Sequence, residues 1–355
     1  MSGVAASIVN RPNTRLPEAF HPAHDFCFTM HDIMLTLLKS GVDQKAFYTT
    51  VTFSSDVERA SFETSDNILL WLQEHGRSSE LESVMASQVF PAALSDALNL
   101  FYEALEASRK GKLIVSFILL RKPLQETLYL FEMMLINRSE FAAKLASDPA
   151  LLALRAVTGR DTHATRVSRA CELMGCTDIF DPKYLANLRY NKYAEDSFAG
   201  TCDKAIHLFT DYKPIRTEAP NINFIFSTGD NLSSQWSYLY SRLPYLMFYF
   251  YMITEFICAE ISPTSANYIE DMLRRIIASM LIWWETVPDD YVSTPIAQMV
   301  SAMSAWLTAN CGERGFPAPS AQDLRVMADE GSFPGESAEA IARRQASFAE
   351  LRGEK

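Results

Sequence analysis

The sequence predicts an all-α fold, a multi-helix bundle with at most one or two short strands or extended loops. Leu94, Leu98, Phe101 and Leu105 follow one another at spacings of four, three and four residues, which places them on one face of a helix. A second apolar stripe with helical spacing runs along residues 269–283. The alternating pattern that is typical of strands is confined to two short segments.

Apolar residues recur at helical spacing through most of the remaining chain. This periodicity predicts further helices over residues 23–39, 57–74, 112–136, 164–174, 199–209, 234–260, 294–309 and 338–351. Ser262 and Pro263 fit the N-cap and the first position of the helix that carries the second stripe. Gly41 and Gly175 stand where C-terminal caps are expected.

Two segments alternate between apolar and polar residues. They are residues 48–53 (YTTVTF) and residues 222–226 (INFIF), and in the second one Ile222, Phe224 and Phe226 would share a face. Each segment is predicted to be either a short strand or a packed loop.

The length of 355 residues suits two modest domains or one large helical domain. A boundary after Gly175 separates an N-terminal helical region, 1–176, from a C-terminal helical region, 177–311. Residues 312–355 begin with a Gly- and Pro-rich stretch, which predicts a loosely attached tail. A single domain over the whole chain is the alternative.

The composition limits the partners and the compartment of the protein. The net charge of −11 disfavours a nucleic-acid partner, because phosphate binding depends on clustered Lys and Arg. The most apolar segment, 243–259, is shorter than the ~20 residues of a membrane span and contains Pro244 and Glu255, which predicts a buried helix and no membrane insertion. The start of the chain does not resemble a signal peptide, and six scattered cysteines do not suggest a disulfide scaffold. Both observations favour the cytoplasm.

Three of the six histidines cluster near the N terminus. On a helix, His24, Cys27 and His31 would share one face, at a spacing that suits a soft divalent metal. The neighbouring Phe26 and Phe28 favour instead a core helix with partly buried histidines. We therefore assign no metal and no cofactor, and we keep a metal-dependent enzyme built on these histidines as an alternative.

Charged residues interrupt the apolar helix predicted over 112–136. Arg121 and Glu126 flank Pro123, which removes a backbone N–H and can kink the helix so that the two charges approach each other. Charges in an apolar helix need partners, so they form either a structural ion pair or part of a site. Arg121 and Glu126 are therefore candidate catalytic residues, together with His207.

The Leu-Leu-Arg segment at 119–121, with Glu126 after it, resembles a helix of poorly characterised bacterial proteins, some of them HEPN-like or of abortive-infection type. HEPN ribonucleases carry an Arg followed four to six residues later by His on a helix, and here Arg15 and His21 have that spacing in a proline-flanked stretch. The resemblance implies, as an alternative, a helical nuclease or toxin-type effector of a defence system. The phosphate-binding, zinc-protease and nucleophile-elbow motifs are missing, which disfavours nucleotide-dependent enzymes and familiar hydrolases.

Our leading interpretation is a helical interaction or regulatory protein that binds an unknown protein or small molecule through a loop-rich face. We place that face in residues 189–230, where many polar groups lie between apolar helices. A solvated crossover whose asparagines cap turns is the alternative. The apolar Trp283-Trp284 segment is a candidate contact for a homo-oligomer, although core burial is the stronger expectation.

Within that segment the residue types suggest a polar pocket. A neutral histidine near an arginine can accept a proton or contact an anion. We expect His207 and Arg216 to line one concave pocket, with Arg121 or Glu126 beneath it. Further binding residues are predicted to be Arg189, Asn221 and Asn223.

Overall fold

The computed structural model describes residues 12–153, 160–211 and 213–351. The described residues are 73% helical and contain no strand, which confirms the all-α prediction. The helices are α1 (His21–Asp43), α2 (Asp56–Glu63), α3 (Ile68–Glu74), α4 (Ser78–Arg109), α5 (Leu113–Lys122), α6 (Leu128–Ile136), α7 (Arg138–Ser147), α8 (Arg160–Met174), α9 (Pro182–Tyr190), α10 (Phe198–Ile206), α11 (Gly229–Ile261), α12 (Ala266–Trp284), α13 (Thr294–Glu313), α14 (Ala321–Glu330) and α15 (Ala338–Leu351). A π-helix, Pro123–Thr127, joins α5 to α6, and short 3₁₀ turns occupy Glu18–Phe20, Pro149–Leu152, Lys213–Ile215 and Asp289–Tyr291.

Helix α11 lies at the centre of the bundle. Every residue from Leu239 to Tyr251 is buried, and a helix that is apolar on all sides needs neighbours around its whole circumference. Helices α1, α4, α5, α6 and α8 supply those neighbours. This environment confirms the buried helix that was predicted for 243–259, and no described helix is long and apolar enough to cross a membrane.

The two apolar stripes of the sequence face this core. The stripe that includes Leu98 lies on α4 and is buried along its length. The second stripe lies on α12, where the Trp283 ring stacks on Phe26 with centroids 5.7 Å apart and its N–H donates to the Tyr240 carbonyl at 2.8 Å. Trp283 is fully buried, so it belongs to the core and offers no surface to a second copy.

Several local predictions differ from the structure. The helix predicted over 57–74 is two helices, because the Asn67 side chain accepts from the Leu70 N–H and starts α3 anew. For residues 48–53 and 222–226, where a short strand or a loop was predicted, the structure shows loops and turns.

The predicted helix ends are right at one position and wrong at two. Gly175 follows α8 with a φ of +65°, as expected of a C-terminal cap. Gly41 lies inside α1, which continues to Asp43 while the Phe47 ring packs over the glycine. Ser262 ends α11, and α12 begins after Ser265.

The C-terminal segment, predicted to be loosely attached, packs against α12. Met327, Phe333 and Phe348 are buried, and the Arg344 Nε lies 3.0 Å from Oδ1 of the fully buried Asp271. Helix α1 of the N-terminal region contacts α11 and α12 of the C-terminal region. The three regions therefore share contacts across both predicted boundaries.

Candidate functional site

A loop-rich face forms between α10 and α11, inside the segment 189–230. Helix α10 begins at Ser197, whose hydroxyl accepts from the Gly200 N–H at 2.8 Å. A Cβ at Gly200 would lie 2.7 Å from Cγ2 of Ile215, so the missing side chain allows the turn Lys213–Ile215 to rest on the helix. The turn Lys213–Ile215 is thereby held against α10, which fixes one side of the loop.

Asn223 holds the rest of the loop together. Its backbone N–H donates to the Leu208 carbonyl at 3.0 Å, and its Nδ2 donates to the His207 carbonyl at 2.8 Å. Its Oδ1 accepts from the Thr217 hydroxyl at 2.8 Å. Asn223 is buried, so these bonds join three parts of the loop in surroundings where lost hydrogen bonds are expensive.

Large apolar side chains project from this face. Leu208, Phe209, Ile225 and Phe226 are each 53–65% exposed. The Asn223 N–H donates to the Leu208 carbonyl, so the backbone at Leu208 lies beside the turn that contains Ile225 and Phe226. Apolar residues grouped in this way on a surface mark interaction sites. We call these four residues the apolar face.

A groove of about 350 Å³ adjoins the apolar face, a volume within the range of ligand sites. Aromatic side chains form its walls, among them Phe117, Phe224 and Phe226. Phe224 has a φ of +59°, a conformation that a residue with a bulky side chain rarely adopts. Strained positions of this kind gather at binding sites.

The groove also presents amide groups. The Gln235 Nε2 donates to the Ser227 hydroxyl at 2.8 Å, whereas its Oε1 is buried and accepts no hydrogen bond from the described part of the chain. Asn221 and Asn231 line the same groove and are exposed. The groove lining thus combines amide groups with aromatic side chains.

The structure does not bring the predicted catalytic residues together. His207 and Arg216 are exposed, and neither lines the groove. The Arg121 Nε lies 3.9 Å from Oδ1 of Asp203, and Glu126 is exposed on the π-helix, so the expected Arg121–Glu126 pair does not form. Of the predicted residues, Asn221 and Asn223 line the groove.

Arg189 belongs instead to a buried charge network around Glu132. Its Nη1 bonds to Oε1 of Glu132, Arg166 Nε donates to Oε2 at 2.8 Å, and the Tyr249 hydroxyl donates to Oε1 at 3.0 Å. Burial alone would raise the pKa of Glu132, but the guanidinium groups of Arg189 and Arg166 outweigh burial and lower that pKa. The ionised carboxylate therefore links α6, α8, α9 and α11.

The same network braces the π-helix. Pro123 has no N–H and its ring would clash with the carbonyl four residues earlier, which opens the helix at this point. The Arg189 Nε donates to the Leu124 carbonyl at 2.7 Å, and the Tyr190 hydroxyl donates to the Gln125 carbonyl at 3.1 Å. Two side chains of α9 thus bond to carbonyls of the irregular segment.

His163 extends the network towards solvent. Its ring stacks on Tyr190 with centroids 4.0 Å apart, and its Nδ1 lies 3.0 Å from Nη2 of Arg166. Burial, together with the charges of Arg166 and Arg189, lowers the pKa of His163 to about 4. A neutral His163 therefore accepts a hydrogen bond from Arg166.

Sequence reasoning missed the network and the apolar face. The signal for Glu132 was a lone carboxylate inside the apolar segment LYLFEMMLI. The signal for the apolar face was the presence of Leu208-Phe209 and Ile225-Phe226 among polar and turn-forming residues.

The N-terminal histidines do not form a metal site. The described residues hold no group of three or more His, Cys, Asp or Glu side chains placed to bind a metal. His24 packs against Phe28 with ring centroids 4.9 Å apart, and His31 Nδ1 lies 2.8 Å from Oδ1 of Asp32. Burial raises the pKa of the Cys27 thiol well above its usual value, which opposes the thiolate that a metal needs.

The Arg15–His21 pair does not lie on one helix. Arg15 precedes the first helical turn, and His21 opens α1 with its Nε2 3.0 Å from the Leu16 carbonyl oxygen. Comparison of the chain with protein families, curated proteins and solved structures found no match.

Proposed function

We propose that the protein is a helical interaction protein whose loop-rich face binds an extended apolar segment of a partner protein. The observation that carries the proposal is the exposure of Phe209 and Phe226, 65% and 56%, beside a groove with aromatic walls. Burial of a phenylalanine side chain contributes ~1.5–3 kcal/mol, so two such anchors supply a useful share of a protein–protein affinity.

The lining of the groove favours an extended peptide. Apolar side chains of the partner fit against Phe117 and Phe224, while its backbone amides can bond to the side chains between them. The buried Oε1 of Gln235 accepts no hydrogen bond from described residues, and a peptide N–H is a matching donor. A second copy of this chain would instead bind through the same face, which would then have to be complementary to itself.

The face is held in shape before a partner arrives. The hydrogen bonds of buried Asn223 fix the loop, and Gly200 lets the turn at Ile215 pack on α10. A preformed loop loses less conformational entropy on binding than a disordered one, which raises affinity.

The cysteines fit the reducing compartment in which we place this function. All six, Cys27, Cys171, Cys176, Cys202, Cys258 and Cys311, are buried free thiols. Disulfides are rare in the cytoplasm and common outside it. We therefore propose a cytoplasmic partner.

Quantitative co-purification tests the proposal. Tagged wild type is compared with Phe209→Ser/Phe226→Ser and with the control Tyr48→Ser/Val57→Ser, which removes two even more exposed apolar side chains from the N-terminal region. We expect a co-purifying protein that the control retains and whose affinity for the face variant falls about a hundredfold or more, because each of the two anchors contributes about 1.4 kcal/mol or more.

Two results would contradict the proposal. Equal recovery of every co-purifying protein with the wild type and the face variant would show that the face binds no partner. A wild type that sediments as a dimer, with a monomeric face variant, would show that the face joins two copies of the chain.

A further inference from the structure

A second cavity, far from the loop-rich face in sequence, lies between α12 and the C-terminal segment. Its volume is about 580 Å³, within the range of small-molecule sites. Arg274 of α12, Arg314 after α13 and Arg344 of α15 all line it. Three guanidinium groups therefore line this cavity in a chain whose net charge is −11.

Three carboxylates pair with these arginines and with the neighbouring Arg275. Glu270 accepts from Nη1 of Arg274 at 3.0 Å and from Nη2 of Arg314 at 2.6 Å. Asp271, which is fully buried, accepts from Nη2 of Arg274 at 3.0 Å and also pairs with Arg275 and Arg344.

Glu336 completes the cluster and pairs with Nη1 of Arg344. The ion-pair network thus joins four arginines, of which Arg275 lies outside the cavity lining, to three carboxylates, which leaves an excess of one positive charge. A ligand with a single negative charge would balance it.

One of the arginines in this cavity, Arg344, has an N–H group without an acceptor among the described residues. The Nη2 of Arg344 is buried and has no hydrogen-bond partner among the described residues. A buried N–H of a charged group is costly without an acceptor, so an oxyanion in the cavity would satisfy it. Burial, together with the charge of Arg344, lowers the pKa of Arg274, and a bound anion would offset that repulsion.

Beside the arginines and Glu270, the lining consists of two phenylalanines and of the polar residues Ser265, Asn267 and Ser347. The Phe333 ring lies under the Arg274 guanidinium, 4.1 Å from its Cζ, and stacks on Phe316 with centroids 4.6 Å apart. Phe348 lines the same cavity and packs edge-on against Tyr268. Aromatic side chains beside arginines suit a ligand that carries an apolar ring next to its charge.

We propose that this cavity binds a small aromatic carboxylate, with the carboxylate bonded to Arg344 and Arg314 and the ring packed against Phe348 and the edge of Phe333. A carboxylate is preferred to a phosphate because it carries one negative charge and matches the excess of one arginine. This site is separate from the loop-rich face, and the proposal does not depend on the function assigned to that face.

Isothermal titration calorimetry with defined probes tests the proposal. The probes are benzoate, phenyl phosphate and the neutral benzyl alcohol, each titrated into the full-length protein. Arg314→Gln is the main variant, because Arg314 is half-exposed and its replacement leaves the buried ion pairs of Asp271 intact. Arg325→Gln removes an exposed arginine of α14 that does not line the cavity, and serves as the control.

We expect benzoate to bind the wild type and the control alike, and to bind Arg314→Gln about tenfold more weakly, since a hydrogen bond to a charged group is lost. Benzyl alcohol should not bind. The proposal is overturned if benzoate does not bind the wild type or binds Arg314→Gln equally well. Tighter binding of phenyl phosphate than of benzoate would overturn the choice of a carboxylate and identify a phosphate site.

Discussion

Glu132→Gln is the perturbation that measures what the buried charge network contributes to stability. Glu132 and Arg189 have fully buried side chains, and Arg166 is nearly so. Glutamine keeps the shape of the side chain but removes its charge, so two buried guanidinium groups lose their counter-ion. Loss of one partner from a buried ion pair costs about 3–5 kcal/mol, and we expect the free energy of unfolding to fall by that amount.

Urea denaturation followed by circular dichroism measures the change, with a lower midpoint and an unaltered m-value. The control is Glu126→Gln on the neighbouring π-helix, whose exposed side chain should contribute within ~0.5 kcal/mol. Glu132→Gln/Arg189→Met should lose less than the sum of the two single variants, because both remove the same pair. A loss below ~1 kcal/mol for Glu132→Gln would refute the reasoning.

Three further perturbations address other parts of the fold. Burial raises the pKa of Glu255 from 4.5 to about 7, so its contribution to stability is present below pH 4.5 and is lost as the pH rises through about 7. Between pH 4.5 and 8, the unfolding free energy of the wild type should fall by about 3 kcal/mol relative to that of Glu255→Gln. The control Glu103→Gln, at an exposed position, should show the same pH dependence as the wild type. A difference between the wild type and Glu255→Gln that does not change with pH would contradict this. Leu98→Ala should lower the unfolding free energy by about 2–5 kcal/mol in urea, and a near-neutral effect would show that its stripe is not core. Gly331→Ala should lower the melting temperature, because φ is +66° there and a Cβ would lie 2.7 Å from Cγ of Asp271; an unchanged melting temperature would disprove that close approach.

Periodic apolar spacing predicts the long core helices correctly, because α4, α11 and α12 each bury a recurring set of side chains. Apolar spacing does not predict the short helices α7, α9 and α14. Their local signals are caps: the Asp181 side chain accepts from two N–H groups at the start of α9, and Ser320 forms a capping box with Asp323 in α14. We interpreted both stretches as a boundary or a tail, because turn-forming residues dominate their composition.

The candidate site depends on contacts that sequence spacing does not encode. Glu132 bonds to arginines 34 and 57 positions later in the chain. Apolar residues in a loop can fold inwards or project outwards, so the exposure of Phe209 and Phe226 becomes apparent only when the loop is positioned by Asn223. Polar residue types suggested His207 and Arg216 for the site, but both are exposed and neither lines the groove.

Site-specific photo-crosslinking in living cells tests the central claim most directly. A photoreactive phenylalanine analogue replaces Phe226 in one variant and Tyr48, which is 75% exposed, in the control. The account predicts a discrete adduct with another protein from position 226, none from position 48, and loss of the adduct when Phe209→Ser is added. Identical adduct patterns from both positions, or adducts from position 226 with this chain alone, would contradict it.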